Sequence, residues 1–317
     1  MNKKIPILLL TKDRATLLER VLARLIKYTD WDYFDLWILD NLSTPSNKKI
    51  IAMFKYRYPF INIYATSYNQ LALIQNEVIA KLRADFYIKL DDDILVTENW
   101  TAGMIGVYER HNQTMSFGSV IVPINGFGWV PFIEIMRLAN DFKTRFPNTS
   151  LNQDCMDVAV YKDPEVNQFI WENCLNLDNT AKTFVNNQNG QFKDMLCPHR
   201  YSIGAIIFSH DRWEQMGGWF VQDRYSSNLR KQKLYNKIAS YIQKIKKYKD
   251  DERWGQIANI LSLTNQGRLG LEEEEVFKFS IDHDLTIPVT TQSLLFHFSF
   301  GPVDQFLMNT IFSKITF

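Results

Sequence analysis

Glycine is missing from the first hundred residues of this 317-residue chain, and the first one is Gly103. A dinucleotide-binding fingerprint and a phosphate-binding P-loop both need glycines at the turn between the first strand and the first helix. Neither motif is therefore present. If a nucleotide binds, something other than a glycine-rich loop must hold its phosphates, and a divalent metal held by carboxylates is the natural substitute.

Three further shortages narrow the class of protein. Cysteine occurs only at Cys155, Cys174 and Cys197, a spacing that fits neither a disulfide framework nor a CxxC zinc site. No apolar run approaches the roughly 18 residues of a membrane-spanning helix, and the run in residues 1–10 is too short for a signal peptide. The net charge of +1 gives no overall attraction for nucleic acid. These absences predict a cytoplasmic protein that does not bind nucleic acid.

Two patterns of apolar residues alternate along the first ninety residues. Continuous apolar stretches of four to six residues indicate buried strands, and stretches with apolar residues three and four apart indicate helices. Strands that alternate with helices in this way predict an α/β fold with a mostly parallel central sheet and helices on both faces. The predicted strands are residues 5–10, 35–39, 61–66 and 86–90, and the predicted helices are residues 16–28, 47–58 and 70–82.

Polar clusters follow three of these strands. They are residues 11–14 (TKDR), residues 40–41 (DN) and residues 91–93 (DDD). In an open parallel sheet, ligands bind beyond the carboxyl ends of the strands. Alternate residues of an extended segment point the same way, so Asp91 and Asp93 are expected to face one site. Two carboxylates there suit Mg²⁺ or Mn²⁺. The alternative is a solvated acidic turn or a helix N-cap.

Four segments together resemble the GT-A-fold glycosyltransferases, especially the inverting family-2 type. They are IPILLLTKDR, LWILDNLST, NQLALIQNEVIAKLRADFYIKLDDDI and GAIIFSHDRWEQMGGW. The resemblance covers the N-terminal half well and scattered blocks of the rest. It implies a GT-A fold in which residues 1–100 bind a nucleotide sugar and residues 101–317 form the acceptor-binding and catalytic half. A basic helical insertion is expected at about residues 222–268, and we expect Trp129 and Trp219 to line an acceptor cleft or to pack in the core.

The resemblance also implies roles for individual residues of the donor site. Thr11 and Arg14 match the turn under the nucleotide, and Asp40 matches the aspartate that contacts the base or ribose. Asp91 and Asp93 match the outer positions of the DXD motif, the first near the ribose and metal and the last a direct metal ligand, with Asp92 between them in the donor site. His297 matches a further metal ligand by order and spacing; the alternative for His297 is a hydrogen-bonded core histidine.

A catalytic base is expected in the segment LGLEEEEVFKFSIDHDL, residues 269–285. The family places an Glu-Asp pair at the start of a helix here, and its second acid removes the proton of the acceptor hydroxyl. Glu273 and Glu274 align with this pair, so Glu274 is the predicted base and Glu273 the neighbouring candidate. The chain departs from the family because every candidate is Glu instead of Asp. The alternative is that all four glutamates favour the helix start through the helix dipole.

These features predict a metal-dependent inverting glycosyltransferase of the hexosyl or N-acetylhexosaminyl class. It would move a sugar from a nucleoside-diphosphate donor, with UDP favoured, to a hydroxyl of a glycan or lipid-linked glycan in the synthesis of bacterial lipopolysaccharide or capsule. The basic stretch 224–253 would make a peripheral contact with an anionic membrane or would be an ordinary surface helix. Two alternatives are a nucleotidyltransferase and a catalytically inactive glycan-binding module.

Overall fold

The structure is a computed structural model that describes residues 4–154, 158–197, 201–219, 271–298 and 310–316, with the side chains of residues 271–275 left out. The first part of the chain follows the predicted alternation of strands and helices. Each segment forms the element that lets its apolar residues face the core. The strands are β1 (Ile5–Thr11), β2 (Phe34–Asn41), β3 (Asn62–Thr66) and β4 (Phe86–Asp91). The helices between them are α1 (Ala15–Tyr28), α2 (Pro45–Arg57) and α3 (Leu71–Leu82).

The rest of the chain is less regular. Its strands are β5 (Ile94–Leu95), β6 (Ser119–Ile121), β7 (Asp194–Cys197), β8 (Ala205–Ser209), β9 (Ile287–Leu294) and β10 (Phe296–His297). Its helices are α4 (Trp100–His111), α5 (Trp129–Ile135), α6 (Ala139–Arg145), α7 (Ala159–Lys162), α8 (Pro164–Glu172), α9 (Leu177–Asn186), α10 (His210–Gln215) and α11 (Leu271–Asp282), with a 3-10 turn at Phe312–Lys314.

The central sheet has five strands in the order β3-β2-β1-β4-β8. The first four are parallel, and β8 runs antiparallel to β4. The apolar strand β1 lies in the middle, where both faces are covered, which explains its unbroken run of aliphatic residues. The register pairs Thr11 with Asp40 and Leu10 with Asp91, so the polar ends of β1, β2 and β4 meet at one edge. The predicted α/β class is confirmed.

Two smaller sheets extend this core. β9 lies between β6, to which it is parallel, and β7, to which it is antiparallel. β5, which directly follows the three aspartates, pairs antiparallel with β10. A strand near the end of the described chain therefore reaches the carboxyl end of the central sheet. This pairing matters for the site described below.

The two tryptophans considered for an acceptor cleft, Trp129 and Trp219, lie in the core. Trp129 is fully buried, and its indole nitrogen donates to the carbonyl of Asn152 at 2.9 Å. Trp219 is also buried and packs edge-on against Phe208. Gly217 and Gly218 before it have φ of +76° and +83°, a backbone conformation that favours glycine. Of the two alternatives for these tryptophans, the structure shows core packing, which leaves no ring face for a sugar in an acceptor cleft.

Two sequence predictions concern the organisation of the chain. The insertion at about 222–268, with its basic stretch 224–253, lies outside the described residues. The division of the chain at residue 100 stays a prediction, although β8 shows that the second half contributes a strand to the central sheet. Within the described part of the chain, none of the helices is both long enough and apolar enough to cross a bilayer.

Candidate functional site

Asp93 and His297 form the centre of the candidate site. Both side chains are buried, and His297 Nε2 lies 3.1 Å from Asp93 Oδ1. The β5–β10 pairing brings them together, since it sets His297 opposite Ile94 and joins Phe298 N to the carbonyl of Asp93 at 3.0 Å. The structure thus places together two residues that are far apart in the chain and that the sequence predicts as metal ligands.

Arg14 supplies a positive charge on the other side of Asp93. It precedes the first turn of α1, and its guanidinium forms an ion pair with Asp93 Oδ2. Burial would raise the pKa of Asp93, but the charges of His297 and Arg14 outweigh it and lower the pKa to about 2. Burial acts in the opposite direction on His297, and the neighbouring carboxylate of Asp93 raises the pKa of this imidazole overall.

Asp93 and His297 fit a divalent metal ion. Asp93 Oδ1 and His297 Nε2 face each other in a buried position, so an ion that bound both atoms would replace the contact between them. Neighbouring ligands of an octahedral ion with bonds of about 2.1 Å are about 3 Å apart, which matches the observed separation of oxygen and nitrogen. The described residues contain no group of three or more acidic, histidine or cysteine side chains arranged around one point. Two protein ligands leave room for waters and phosphate oxygens.

Asp91 has a different partner. Its Oδ1 accepts a hydrogen bond of 2.8 Å from the ammonium of Lys89, which also donates to the carbonyl of Ile203 at 2.8 Å. Burial raises the pKa of Asp91, although Lys89 opposes this shift. The backbone N–H of Asp91 donates to the carbonyl of Gly204. One oxygen of the Asp91 carboxylate is thus engaged with Lys89. The role of Asp91 as a metal ligand stays a prediction.

Asp92 faces the end of β1. Its Oδ2 accepts hydrogen bonds from the hydroxyl of Thr11 at 2.6 Å and from the backbone N–H of Lys12 at 3.3 Å. Asn47 of α2 donates in turn to the Thr11 hydroxyl at 2.9 Å. Burial raises the pKa of Asp92 to about 6, and the hydrogen bond from Thr11 only partly offsets it. These contacts fix the turn after β1 against the three aspartates.

Asp40 lies at the same edge, at the end of β2 opposite Thr11. Its Oδ1 accepts a hydrogen bond of 2.7 Å from the backbone N–H of Ser43, which turns the chain into α2. The side chain is buried. Its predicted contact with the nucleoside stays a prediction, and its position next to Thr11 is compatible with it.

The predicted base lies on α11. Glu273 and Glu274 belong to the first turn of this helix, as the sequence predicts, and their side chains lie outside the described part of the structure. Val276 and Phe277, which follow them, are buried and dock the helix on the core. The choice between the two glutamates stays a prediction.

Sequence reasoning missed Lys89 and Asn47. Lys89 is a charged residue in an otherwise apolar strand, two positions before Asp91 and therefore on the same side of β4. That spacing was the available signal for an ion pair. Asn47 is a polar residue on the buried side of α2, and only the packing of α2 on β1 shows what it contacts.

Comparisons with known proteins agree with this fold. Residues 7–162, about half of the chain, match the family model described as glycosyl transferase family 2. No curated protein matches the sequence.

Two solved structures are similar. The mannosyltransferase PcManGT from Pyrobaculum calidifontis, solved with GDP-Man and Mn²⁺, is 11% identical with a TM-score of 0.41, over 69% of this chain and 48% of its own. GalNAc-T7, solved with UDP, GalNAc and Mn²⁺, is 15% identical with a TM-score of 0.33, over 38% of this chain and 23% of its own. The chain thus matches less than half of either protein, and neither likeness is close enough to carry a function across. The family match covers residues 7–162, which include β1 to β4 and the three aspartates, so this segment of the chain is similar to a glycosyl transferase family 2 domain.

Proposed function

We propose that this chain is a glycosyltransferase that moves a sugar from a nucleoside-diphosphate donor to a hydroxyl of a glycan acceptor, with inversion and with a divalent metal. The observation that carries the proposal is the contact of Asp93 with His297 at the carboxyl end of the central sheet, beside Arg14. A carboxylate oxygen next to an imidazole nitrogen is a mixed donor set that suits Mn²⁺ better than Mg²⁺, because Mg²⁺ prefers oxygen ligands. The absence of glycine from the first strand–helix turn leaves the diphosphate without a backbone cradle, which supports the same assignment.

The residues of the chain would divide the work as follows. Asp93 and His297 hold the metal, which when bound offsets the negative charge that develops on the departing diphosphate. Arg14 is about half exposed, so its guanidinium can bind a phosphate oxygen when a metal occupies Asp93. Asp40 binds the nucleoside, and the turn held by Thr11 and Asp92 forms the wall beneath it. Asp91, fixed by Lys89, lies at the ribose side of the site.

Inversion requires a base on the face of the sugar opposite the diphosphate. In a single in-line displacement, the acceptor oxygen forms its bond to the anomeric carbon while the bond to the diphosphate breaks, and a carboxylate removes the hydroxyl proton. Glu274 is the proposed base, with Glu273 as the neighbouring candidate. We place the reaction in the synthesis of bacterial surface polysaccharide, with UDP as the favoured nucleotide.

The test is the release of nucleoside diphosphate from a panel of nucleotide sugars, with UDP-sugars first, in the presence of Mn²⁺ or of a chelator. Asp93→Asn keeps the shape of the side chain and removes its charge. We expect turnover to fall at least about a hundredfold, as when one transition-state contact is removed. Asp85→Asn, at the exposed amino end of the same strand, is the matched control and should keep full activity.

Metal binding has its own readout. Mn²⁺ alone should raise the melting temperature of the wild-type protein and of Asp85→Asn, and should leave that of Asp93→Asn unchanged. Equal turnover with the chelator and with Mn²⁺ would contradict the metal assignment. Binding of glycan without turnover of any donor would instead support the inactive module, and pyrophosphate as the product would support the nucleotidyltransferase.

A further inference from the structure

We propose that the outer face of α2 binds an anionic lipid surface. This α2 face consists of Lys48, Lys49, Met53, Tyr56 and Arg57, together with Phe60 in the turn that follows the helix. The proposal does not depend on the sugar-transfer chemistry, because none of these residues belongs to the site around Asp93. It concerns a described surface of the domain and is separate from the basic stretch 224–253.

Apolar side chains project from the middle of this face. Met53 is 46% exposed, Tyr56 90% and Phe60 40%. Lys49, Met53 and Tyr56 are four and three residues apart, so they form one ridge along the helix. The opposite side of α2 is anchored by the buried residues Asn47, Ile51 and Phe54. Single exposed apolar residues are ordinary on protein surfaces, but Met53 and Tyr56 on the helix and Phe60 just after it make three on one segment.

The segment that contains this ridge, residues 41–76, carries basic residues and no acidic ones. No Asp or Glu occurs in residues 41–76, which contain Lys48, Lys49, Lys55 and Arg57. Lys55 is engaged with the carbonyls of Pro59 and Ile61, and the other three cations are exposed. Two exposed acids, Asp30 and Asp32, flank Trp31, whose ring lies 5.1 Å from that of Phe60, so they are on the Phe60 side of the face. The α2 face is therefore basic although the chain as a whole is nearly neutral.

An anionic bilayer matches this chemistry better than a protein partner. Tyrosine and phenylalanine favour the headgroup region, and lysine and arginine beside them bind anionic headgroups while their alkyl stems contact apolar groups. A symmetric contact with a second copy would set Lys48, Lys49 and Arg57 against the same cations of that copy, which repel.

The position of α2 fits this partner. The helix starts directly after the carboxyl end of β2, and Thr44 N donates to the carbonyl of Lys12 at 3.2 Å. A bilayer on the α2 face would therefore lie at the side of the donor site.

Co-sedimentation of the full chain with vesicles tests the proposal, without any substrate. Vesicles of phosphatidylcholine with about one-third phosphatidylglycerol are compared with pure phosphatidylcholine. We expect wild-type protein to sediment only with the anionic vesicles. Lys48→Glu with Lys49→Glu should weaken that binding at least about tenfold, since each lysine near an anionic surface contributes strongly. Lys143→Glu with Lys182→Glu is the control: both lysines are exposed on α6 and α9, and the change in net charge is the same.

The apolar ridge is tested separately by Met53→Ser with Tyr56→Ser, which should weaken vesicle binding and leave the net charge unchanged. Leu196→Ser with Ile281→Ser removes two other exposed apolar side chains and should bind as wild type does.

Four results would overturn the proposal: no binding by the wild type, equal binding to neutral vesicles, an effect of the control pair as large as that of Lys48 and Lys49, or unchanged binding after both α2 changes. Loss of self-association in light scattering, caused by the α2 changes in the absence of vesicles, would mean that a second copy covers this face. Competition by an oligonucleotide but not by vesicles would assign it to nucleic acid. Because donor turnover is not involved, these results are independent of the proposed reaction.

Discussion

Lys89 lies in the middle of the central sheet with its ammonium buried, a position that lysine rarely takes. The carboxylate of Asp91 and the carbonyl of Ile203 accept its hydrogen bonds. Removing one partner of a buried ion pair leaves the other charge without compensation, so the two residues depend on each other. Lys89 thereby holds Asp91 at the edge of the site, where its charge still acts on Asp93 and His297.

We expect Lys89→Met to lower the free energy of unfolding by about 1–3 kcal/mol, because the Asp91 carboxylate, which is partly exposed, loses its cation. Adding Asp91→Asn should recover part of this loss, since a neutral amide needs no cation. Urea unfolding of the two single variants and the double variant measures the coupling. Additive losses would show that Lys89 and Asp91 are independent.

The four glutamates at the start of α11 can be separated by kinetics. We expect Glu274→Gln to bind donor as wild type does and to lose turnover, because the amide cannot take the acceptor proton. Glu272→Gln is the control at the same helix end. If Glu273→Gln is inactive and Glu274→Gln is normal, the alignment is shifted by one residue and the mechanism stands. If all are active, the glutamates serve only the helix start.

Helix α4 packs closely on β9 because of one glycine. A methyl group on Gly103 would lie 2.0 Å from Ser293 Oγ and 2.8 Å from Ser293 Cβ. One turn further along, a methyl group on Gly106 would meet only the ends of the flexible side chains of Arg110 and Gln292. The same substitution therefore has opposite consequences at two positions of one helix.

We expect Gly103→Ala to destabilise the protein by about 1–3 kcal/mol through overpacking. Gly106→Ala should be neutral or stabilise by up to about 1 kcal/mol, because alanine favours the helix and the two side chains can move. Urea unfolding of both variants is the measurement. Gly103→Ala with Ser293→Gly should be less destabilised than the sum of its parts, and equal effects at the two glycines would contradict the packing argument.

The elements of the first half were predictable because each buries one continuous apolar face, and the strands and helices up to residue 91 are confirmed. Residues 129–186 were not, since their short helices bury scattered aromatic residues such as Trp171 and Phe184 that follow no period. The meeting of Asp93 with His297 depends on the pairing of β5 with β10, two-residue strands with too little sequence to predict a partner. Order along the chain suggested His297, and only the fold shows its contact.

A surface network connects the end of α4 with β7 and β9, all in the second half of the chain. Asp194 of β7 accepts hydrogen bonds from Arg110 Nη2 at 2.8 Å and lies 2.9 Å from His111 Nε2, both at the end of α4. Burial would raise the pKa of Asp194, but the hydrogen bonds from Arg110, Thr290 and His111 lower it from 3.8 to about 2. The ionised form is therefore the one that the folded protein stabilises.

Because the pKa of Asp194 is lower in the folded protein than in the unfolded chain, its ionised carboxylate adds to the free energy of unfolding. This stabilisation is fully present above the unfolded pKa and is lost as the pH falls towards 2. We expect Asp194→Asn to be less stable than wild type by about 1 kcal/mol at pH 6, a value reduced for the exposure of Arg110. The difference should shrink steadily between about pH 4.5 and pH 3. Urea unfolding across this range measures it, and a difference that does not change with pH would exclude an electrostatic origin.

The junction of β5 with β10 also has a consequence for biosynthesis. Asp93 leaves the ribosome about two hundred residues before His297, and closing so long a loop is entropically unfavourable until the intervening chain has folded. A nascent polypeptide can thus complete its α/β layers while its donor pocket is still half built. A chain that ends upstream of this histidine would lack one of the two proposed metal ligands, so the site can be completed only late in translation.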